Sequence, residues 1–100
     1  MIARNKALAG NLLFPLGQVL ATPGALRALE EAGESASFYL SRHARGDWGE
    51  VCAEDKAEND LALREGFRIM SVYETAKGEK LWVITEADRS STCILRPEEY

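Results

Sequence analysis

Apolar positions recur at two different periods along the chain, and the change from one to the other organises it. Leu12 to Ala21 is apolar with some alternation and ends in Thr22-Pro23. It predicts a strand, bulged or at a sheet edge, because Pro15 has no N–H to give a ladder. Thr22 is a good N-cap and Pro23 suits the first helical position, so a short helix follows through Leu26 and Leu29 to Ala32. Leu26 and Leu29 share a face and are expected to pack on the sheet, and Gly33 is a natural left-handed stop. Ser35 is the next cap, opening a helix over Ala36–Ala44 with Tyr39, Leu40 and His43 at helical spacing. Residues 46–52 read as a loop. A third helix is expected over Ala53–Glu65, with Ala53, Ala57 and Leu61 as its narrow apolar stripe and Glu54 and Asp55 at its positive end.

The period then becomes two. Phe67 to Ala76 alternates, with Ile69, Ser71 and Tyr73 on one face and Met70 and Val72 on the other. A turn at Lys77-Gly78-Glu79 leads to the β-rich run Lys80–Thr85, and a turn at residues 88–91 leads to a short strand over Thr92–Leu95, ended by Pro97. The fold class is α+β: an N-terminal strand, two or three short helices, then a three-stranded antiparallel meander with the helices on one face and the other face partly solvated. Residues 1–11 are read as a flexible lead-in and 12–100 as a single domain. The closing Pro97–Tyr100 is read as an exposed tail from which Tyr100 can pack back on the sheet.

Composition narrows the function. With 46% hydrophobic residues the chain has a core to bury, and no apolar run approaches a membrane span. Twelve basic against 16 acidic residues give a net charge of -4, which argues against a protein that works chiefly by neutralising a nucleic-acid backbone. Cys52 and Cys93 lie in no C-x-x-C pair and are expected to be free thiols of a cytoplasmic protein. The start is too interrupted, by Asn11, Pro15, Gly17 and Gln18, for a secretory signal.

Two polar constellations carry what chemistry there is. Arg42-His43-Ala44-Arg45-Gly46-Asp47-Trp48-Gly49-Glu50 puts the only histidine beside two arginines, two carboxylates and an indole. His43 would carry a proton, Arg42 or Arg45 would hold a phosphate or carboxylate, and Trp48 would stack on a planar ligand. The structural alternative has His43 at a helix end, Asp47 bonding its own loop and Trp48 in the core. The second constellation runs from Thr85 to Thr92. Arg89 would grip an anion there, with Glu86, Asp88, Ser91 and Thr92 as ligand contacts; the alternative is a stiffened hairpin loop. His43, Asp47 and Arg89 are the candidate catalytic groups. His43, Asp47, Cys52 and Asp55 match no metal-ligand spacing, so neither metal nor cofactor is expected.

The blocks SRHARGDWGE, EDKAEND, SVY, LWVITEADRSST and LRPEEY resemble a family of short uncharacterised bacterial proteins associated with plasmids and other mobile DNA. The resemblance runs from about Phe14 to Tyr100 and departs at Cys93, where the family has threonine. Some members carry the label of type I restriction subunits, but one hundred residues without a cofactor loop cannot hold a methyltransferase domain. What the resemblance implies is a genetic setting without an activity. Three readings follow: a module that binds and modulates a host or defence protein, which is favoured; a small metal-independent ribonuclease of barnase-like fold using His43 and Arg89, with RNA as partner; and a regulator that binds a small molecule or nucleotide.

Overall fold

The computed structural model describes residues 12–100; the expected lead-in, residues 1–11, lies outside them. In chain order the elements are β1 (Gln18–Ala21), α1 (Pro23–Ala32), α2 (Ala36–Ala44), α3 (Ala53–Glu65), β2 (Ile69–Glu74), β3 (Lys80–Thr85), β4 (Ser91–Leu95) and a closing 3-10 turn, Pro97–Glu99. The class is α+β, with three helices. The four-stranded sheet has the order β1-β4-β3-β2. The meander β2-β3-β4 is antiparallel, while β1 joins β4 in parallel, so the sheet is mixed.

The punctuation in the sequence sets the helix ends. Thr22 accepts from the Ala25 N–H at 3.2 Å and Ser35 from the Phe38 N–H at 3.3 Å, while Gly33 and Gly66 close α1 and α3 in the left-handed region. The first strand is much shorter than its apolar run. Phe14 turns into the core at 6% exposure, and the Leu16 carbonyl is taken by the Thr92 hydroxyl at 2.7 Å, so ladder pairing starts only at Gln18.

Two expected apolar stripes are corrected. Leu26 is 54% exposed while Leu29 is 4% exposed, and α1 packs instead through Gly24, Ala25, Ala28 and Leu29. Small side chains let this helix lie close to the sheet, and Leu26 points away. On α3, Ala53, Ala57 and Leu61 are all exposed, and Asn59 and Ala62 are its buried residues. That helix docks by a polar side chain. Asn59 Nδ2 donates to the Met70 carbonyl at 2.8 Å, and Asn59 Oδ1 accepts from the Met70 N–H at 3.2 Å.

The register divides the sheet into two faces. Ile69, Ser71, Tyr73, Leu81, Val83, Thr85, Thr92 and Ile94 face the helices and are buried. The opposite face carries Met70, Val72, Trp82, Ile84, Cys93, Leu95 and Leu20 across its middle, and the polar Gln18, Ser91, Glu74 and Lys80 only at its ends. A solvated sheet face normally alternates to polar residues; this one does not. The closing turn returns to it, with the Tyr100 ring 5.5 Å from that of Trp82. The turn is fastened rather than loose: Glu99 accepts from the Thr22 hydroxyl at 2.5 Å and from the Gly24 N–H at 2.9 Å.

The β2 edge is sealed. Asn59 takes both backbone groups of Met70, and the loop before α3 takes those of Val72: Val72 N–H donates to Trp48 O at 3.0 Å, and Glu50 N–H donates to Val72 O at 2.7 Å. Gly49 makes this approach feasible, with φ +77° and an ideal Cβ that would lie 1.9 Å from the Val72 carbonyl oxygen. Gly33 shares the positive φ (+68°) but has open space around it. Gly33→Ala should therefore cost about 1 kcal/mol and Gly49→Ala about 2 kcal/mol or more, because the latter also pushes the loop off the strand. Thermal or urea unfolding of the two variants checks this; equal costs would mean that the loop yields freely.

Candidate functional site

The two polar constellations meet, and they meet inside the protein. His43 projects from the last turn of α2 and is 0% exposed. Its Nδ1 lies 2.6 Å from Ser71 Oγ on β2, and its Nε2 lies 2.9 Å from Thr85 Oγ1 on β3. Thr85 Oγ1 is 2.7 Å from Thr92 Oγ1 on β4, which donates to the Leu16 carbonyl at 2.7 Å.

Counting donors orders the protons. A carbonyl only accepts, so Thr92 spends its proton on Leu16. Thr85 must then donate to Thr92 and accept from His43 Nε2–H, and His43 Nδ1 must accept from the Ser71 hydroxyl. The imidazole is neutral, protonated on Nε2, and every member of the chain is satisfied. Phe14 and Trp48 wall it in edge-on, at 5.3 and 5.9 Å between ring centroids. Burial, and secondarily the nearby Arg89 charge, push the His43 pKa down from its ordinary 6.5 to about 3. A group so held carries no proton to an external substrate in this conformation.

The other candidates are also engaged internally. Arg89 has a left-handed backbone, φ 61°, which aims its side chain back toward the protein. The guanidinium donates to the carbonyls of Phe67 at 2.7 Å, Ala62 at 2.9 Å, Glu86 at 3.1 Å and Ala87 at 3.2 Å. It knots the β3–β4 loop to the C-terminal end of α3, where exposed carbonyls and the helix dipole favour a cation. Arg42 Nε donates to Asp47 Oδ2 at 2.7 Å, and its guanidinium lies 4.6 Å above the Tyr73 ring. Asp47 also accepts from the Gly49 N–H at 3.2 Å, and the Tyr73 hydroxyl donates to the Asp47 carbonyl at 2.6 Å. The Arg42 hydrogen bond, above all, holds the Asp47 carboxyl below the usual range.

Trp48 is a core residue, 4% exposed, with Nε1–H donating to Asp60 at 3.2 Å; its indole is not free to stack on a ligand. Thr92 is buried in the polar chain. Asp88 is exposed and turns its own loop by accepting from the Ser90 N–H at 3.0 Å. Arg45 and Glu86 are exposed and Ser91 is half-buried. The exposed candidates therefore sit at the margin of the sealed chain and form no converging pocket.

Among the described residues no group of three or more His, Cys, Asp or Glu side chains could hold a metal ion, and no helix is long and apolar enough to cross a membrane. Cys52 is exposed and Cys93 half-buried, both free. An open groove of about 170 Å³ runs between α3 and β2, lined by Val51, Asp55, Glu58, Asn59, Arg68 and Met70. Sequence reasoning passed over Ser71, Asn59 and the outer sheet face. The uninterrupted Leu-Trp-Val-Ile of β3 was the available signal for that face, since a strand buried on one side only should alternate. No family model, no curated protein and no solved structure matches the chain.

Two outcomes are expected. Removing the imidazole in His43→Ala leaves a cavity, strips the Ser71 hydroxyl of its partner and the Thr85 hydroxyl of its donor, and should cost about 3 kcal/mol or more. Because the folded His43 refuses a proton that the unfolded chain accepts, stability falls as pH drops from 6.5 towards about 3. The slope from this group reaches about 1.4 kcal/mol per pH unit. His43→Gln does not titrate and should lack that increment over the carboxylate background, and urea melts across the window compare the two proteins. Parallel pH profiles would contradict a buried neutral imidazole. Arg89→Ala should cost about 2 kcal/mol, since it leaves the Phe67 and Ala87 carbonyls without the guanidinium and unties the β3–β4 loop from the end of α3; an arginine kept for an external anion would be neutral or stabilising to remove.

Proposed function

We propose that the protein is a non-catalytic binding module whose working surface is the outer face of the sheet. One observation carries this reading. His43, Asp47 and Arg89 are consumed by the scaffold, while the face away from the helices is apolar through its middle and only partly covered. Leu20 is 46% and Tyr100 67% exposed there, with Met70, Val72, Trp82 and Cys93 half-buried between them and Ile84 and Leu95 buried beneath. Contiguous apolar surface with polar ends is the usual form of a protein-recognition site. The occupant is a protein with an apolar strip and a basic rim, matched to a chain of net charge -4. The sequence resemblance adds the setting: a small bacterial accessory protein of plasmids and mobile DNA that binds and modulates a host or defence protein.

The other readings gain less. A ribonuclease needs a reachable acid or base, and His43 is 0% exposed. A small-molecule regulator needs an enclosing pocket, and the groove of about 170 Å³ falls below the usual ligand-site range of roughly 300–1,000 Å³.

Affinity capture with wild type, Val72→Lys, Tyr100→Ala and Leu61→Lys tests the surface. A single partner is expected to be retained by wild type and by Leu61→Lys, altered on an exposed position of α3, and lost with the two outer-face variants. Retention by all four places binding elsewhere. Cleavage of RNA by wild type but not by His43→Ala would replace the reading with the ribonuclease.

A further inference from the structure

The two edges of the sheet are finished differently. The β2 edge is covered by Asn59 and by the Trp48–Glu50 loop. Among the described residues the β1 edge is open. In the parallel ladder with β4, Gln18 N–H donates to Ser90 O at 2.9 Å and Thr22 N–H to Ile94 O at 3.1 Å. Gln18, Leu20 and Thr22 therefore turn their backbone groups inward, and Val19 and Ala21 turn theirs outward. No described residue pairs with those outward groups. The strand Gln18-Val19-Leu20-Ala21 is short, and it carries no charge, no proline and no bulge to blunt the edge. Val19 and Leu20, on opposite faces, are each 46% exposed.

We propose that β1 pairs antiparallel with β1 of a second copy of this chain, about a two-fold axis through Leu20, to give a continuous sheet across the dimer. The register follows from the outward groups. With the axis at Leu20, Val19 of each copy faces Ala21 of the other. Both are outward-facing, so each pair exchanges two N–H···O bonds and no outward group of β1 is left over. An axis at Ala21 would bring in Pro23, which has no N–H, and an axis at Val19 would need Gly17, which lies outside the strand. An axis between residues would oppose outward groups to inward ones. Each copy carries -4 overall, and this edge is a place where two copies meet without opposing like charges. The same register sets Leu20 against Leu20 of the second copy, so the apolar row Met70-Ile84-Cys93-Leu20 runs on into the neighbour. The contact is isologous and closes at two.

The test is solution mass of the purified full chain by light scattering and sedimentation, at protomer concentrations up to about 100 µM, since dimer stability depends on concentration. A dimer of the 11.0 kDa chain is expected. Leu20→Lys sets two ammonium groups face to face on a side chain that the monomer leaves exposed; it should weaken the dimer at least about tenfold while far-UV circular dichroism and melting stay native. Leu20→Cys, in a Cys52→Ser, Cys93→Ser background that removes the neighbouring thiols, should cross-link on mild oxidation. Opposed Cα atoms in a non-hydrogen-bonded pair lie ~4.5 Å apart, within disulfide reach. Leu26→Cys, exposed but off the edge, should not. A monomer throughout the concentration range overturns the proposal, whether the edge then serves a strand of another protein or the chain's own leading residues. So does a dimer indifferent to Leu20→Lys.

Discussion

A neutral imidazole buried between one helix and three strands is the interaction on which the rest of this structure depends. His43 is the sole contact by which α2 hydrogen-bonds through side chains to both β2 and β3, and the chain continues through Thr85 and Thr92 to the segment that leads into β1. Four hydroxyl and imidazole groups in a core this small would each be costly if left unpaired. In series they satisfy one another and terminate on a carbonyl. The direction of the protons is fixed because that last acceptor has nothing to donate. Polar groups in such a chain specify one register of the sheet against the helices, because a slip of one residue would strand all of them together.

The same arrangement explains why the candidate chemistry came to nothing at the surface. Asp47 and Arg89 flank the buried chain and fasten its surroundings, Asp47 by holding the loop that carries Trp48 and Arg89 by holding the end of α3. Arg89 also contributes a positive charge that, after burial, helps keep His43 unprotonated. Perturbed titration is often a mark of catalysis, but structural polar networks perturb pKa values by the same physics. Here accessibility separates the two: the group most shifted is the one that solvent does not reach.

The fold class was legible because the sequence punctuates its elements by local chemistry. Thr22 and Ser35 cap, Gly33 and Gly66 stop, and the alternation of Ile69, Ser71 and Tyr73 assigns a face, all of which act within a few residues of where they stand. What failed was long-range. The Leu26 and Ala53-Ala57-Leu61 stripes assumed that helices dock by their largest or most regular apolar residues. α1 docks instead by Ala25 and Ala28, and α3 by Asn59, whose side-chain amide mimics a neighbouring strand at the β2 edge. The meeting of residues 42–50 with residues 85–92 was similarly open, since periodicity says which way a side chain points but not what it will find 42 residues away.

The sheet is asymmetric twice over, and both asymmetries point outward from the sealed core. One face is covered by helices and the other, equally apolar in its middle, has, among the described residues, the closing turn and Tyr100 resting on it, with Arg68 against the Tyr100 ring. One edge is capped by a side-chain amide and a glycine-hinged loop; the other presents uncharged backbone. A chain that needed only to be a stable monomer could reach that end with polar residues on the outer face and a charge on β1, both common and inexpensive in sheet proteins. The apolar alternative carries a solubility cost that the net charge of -4 partly offsets. Such a cost is expected where the surface is used, and the apolar row that ends at the exposed Leu20 runs to the open edge itself. Face and edge are therefore parts of one surface, and whatever occupies the edge extends the face.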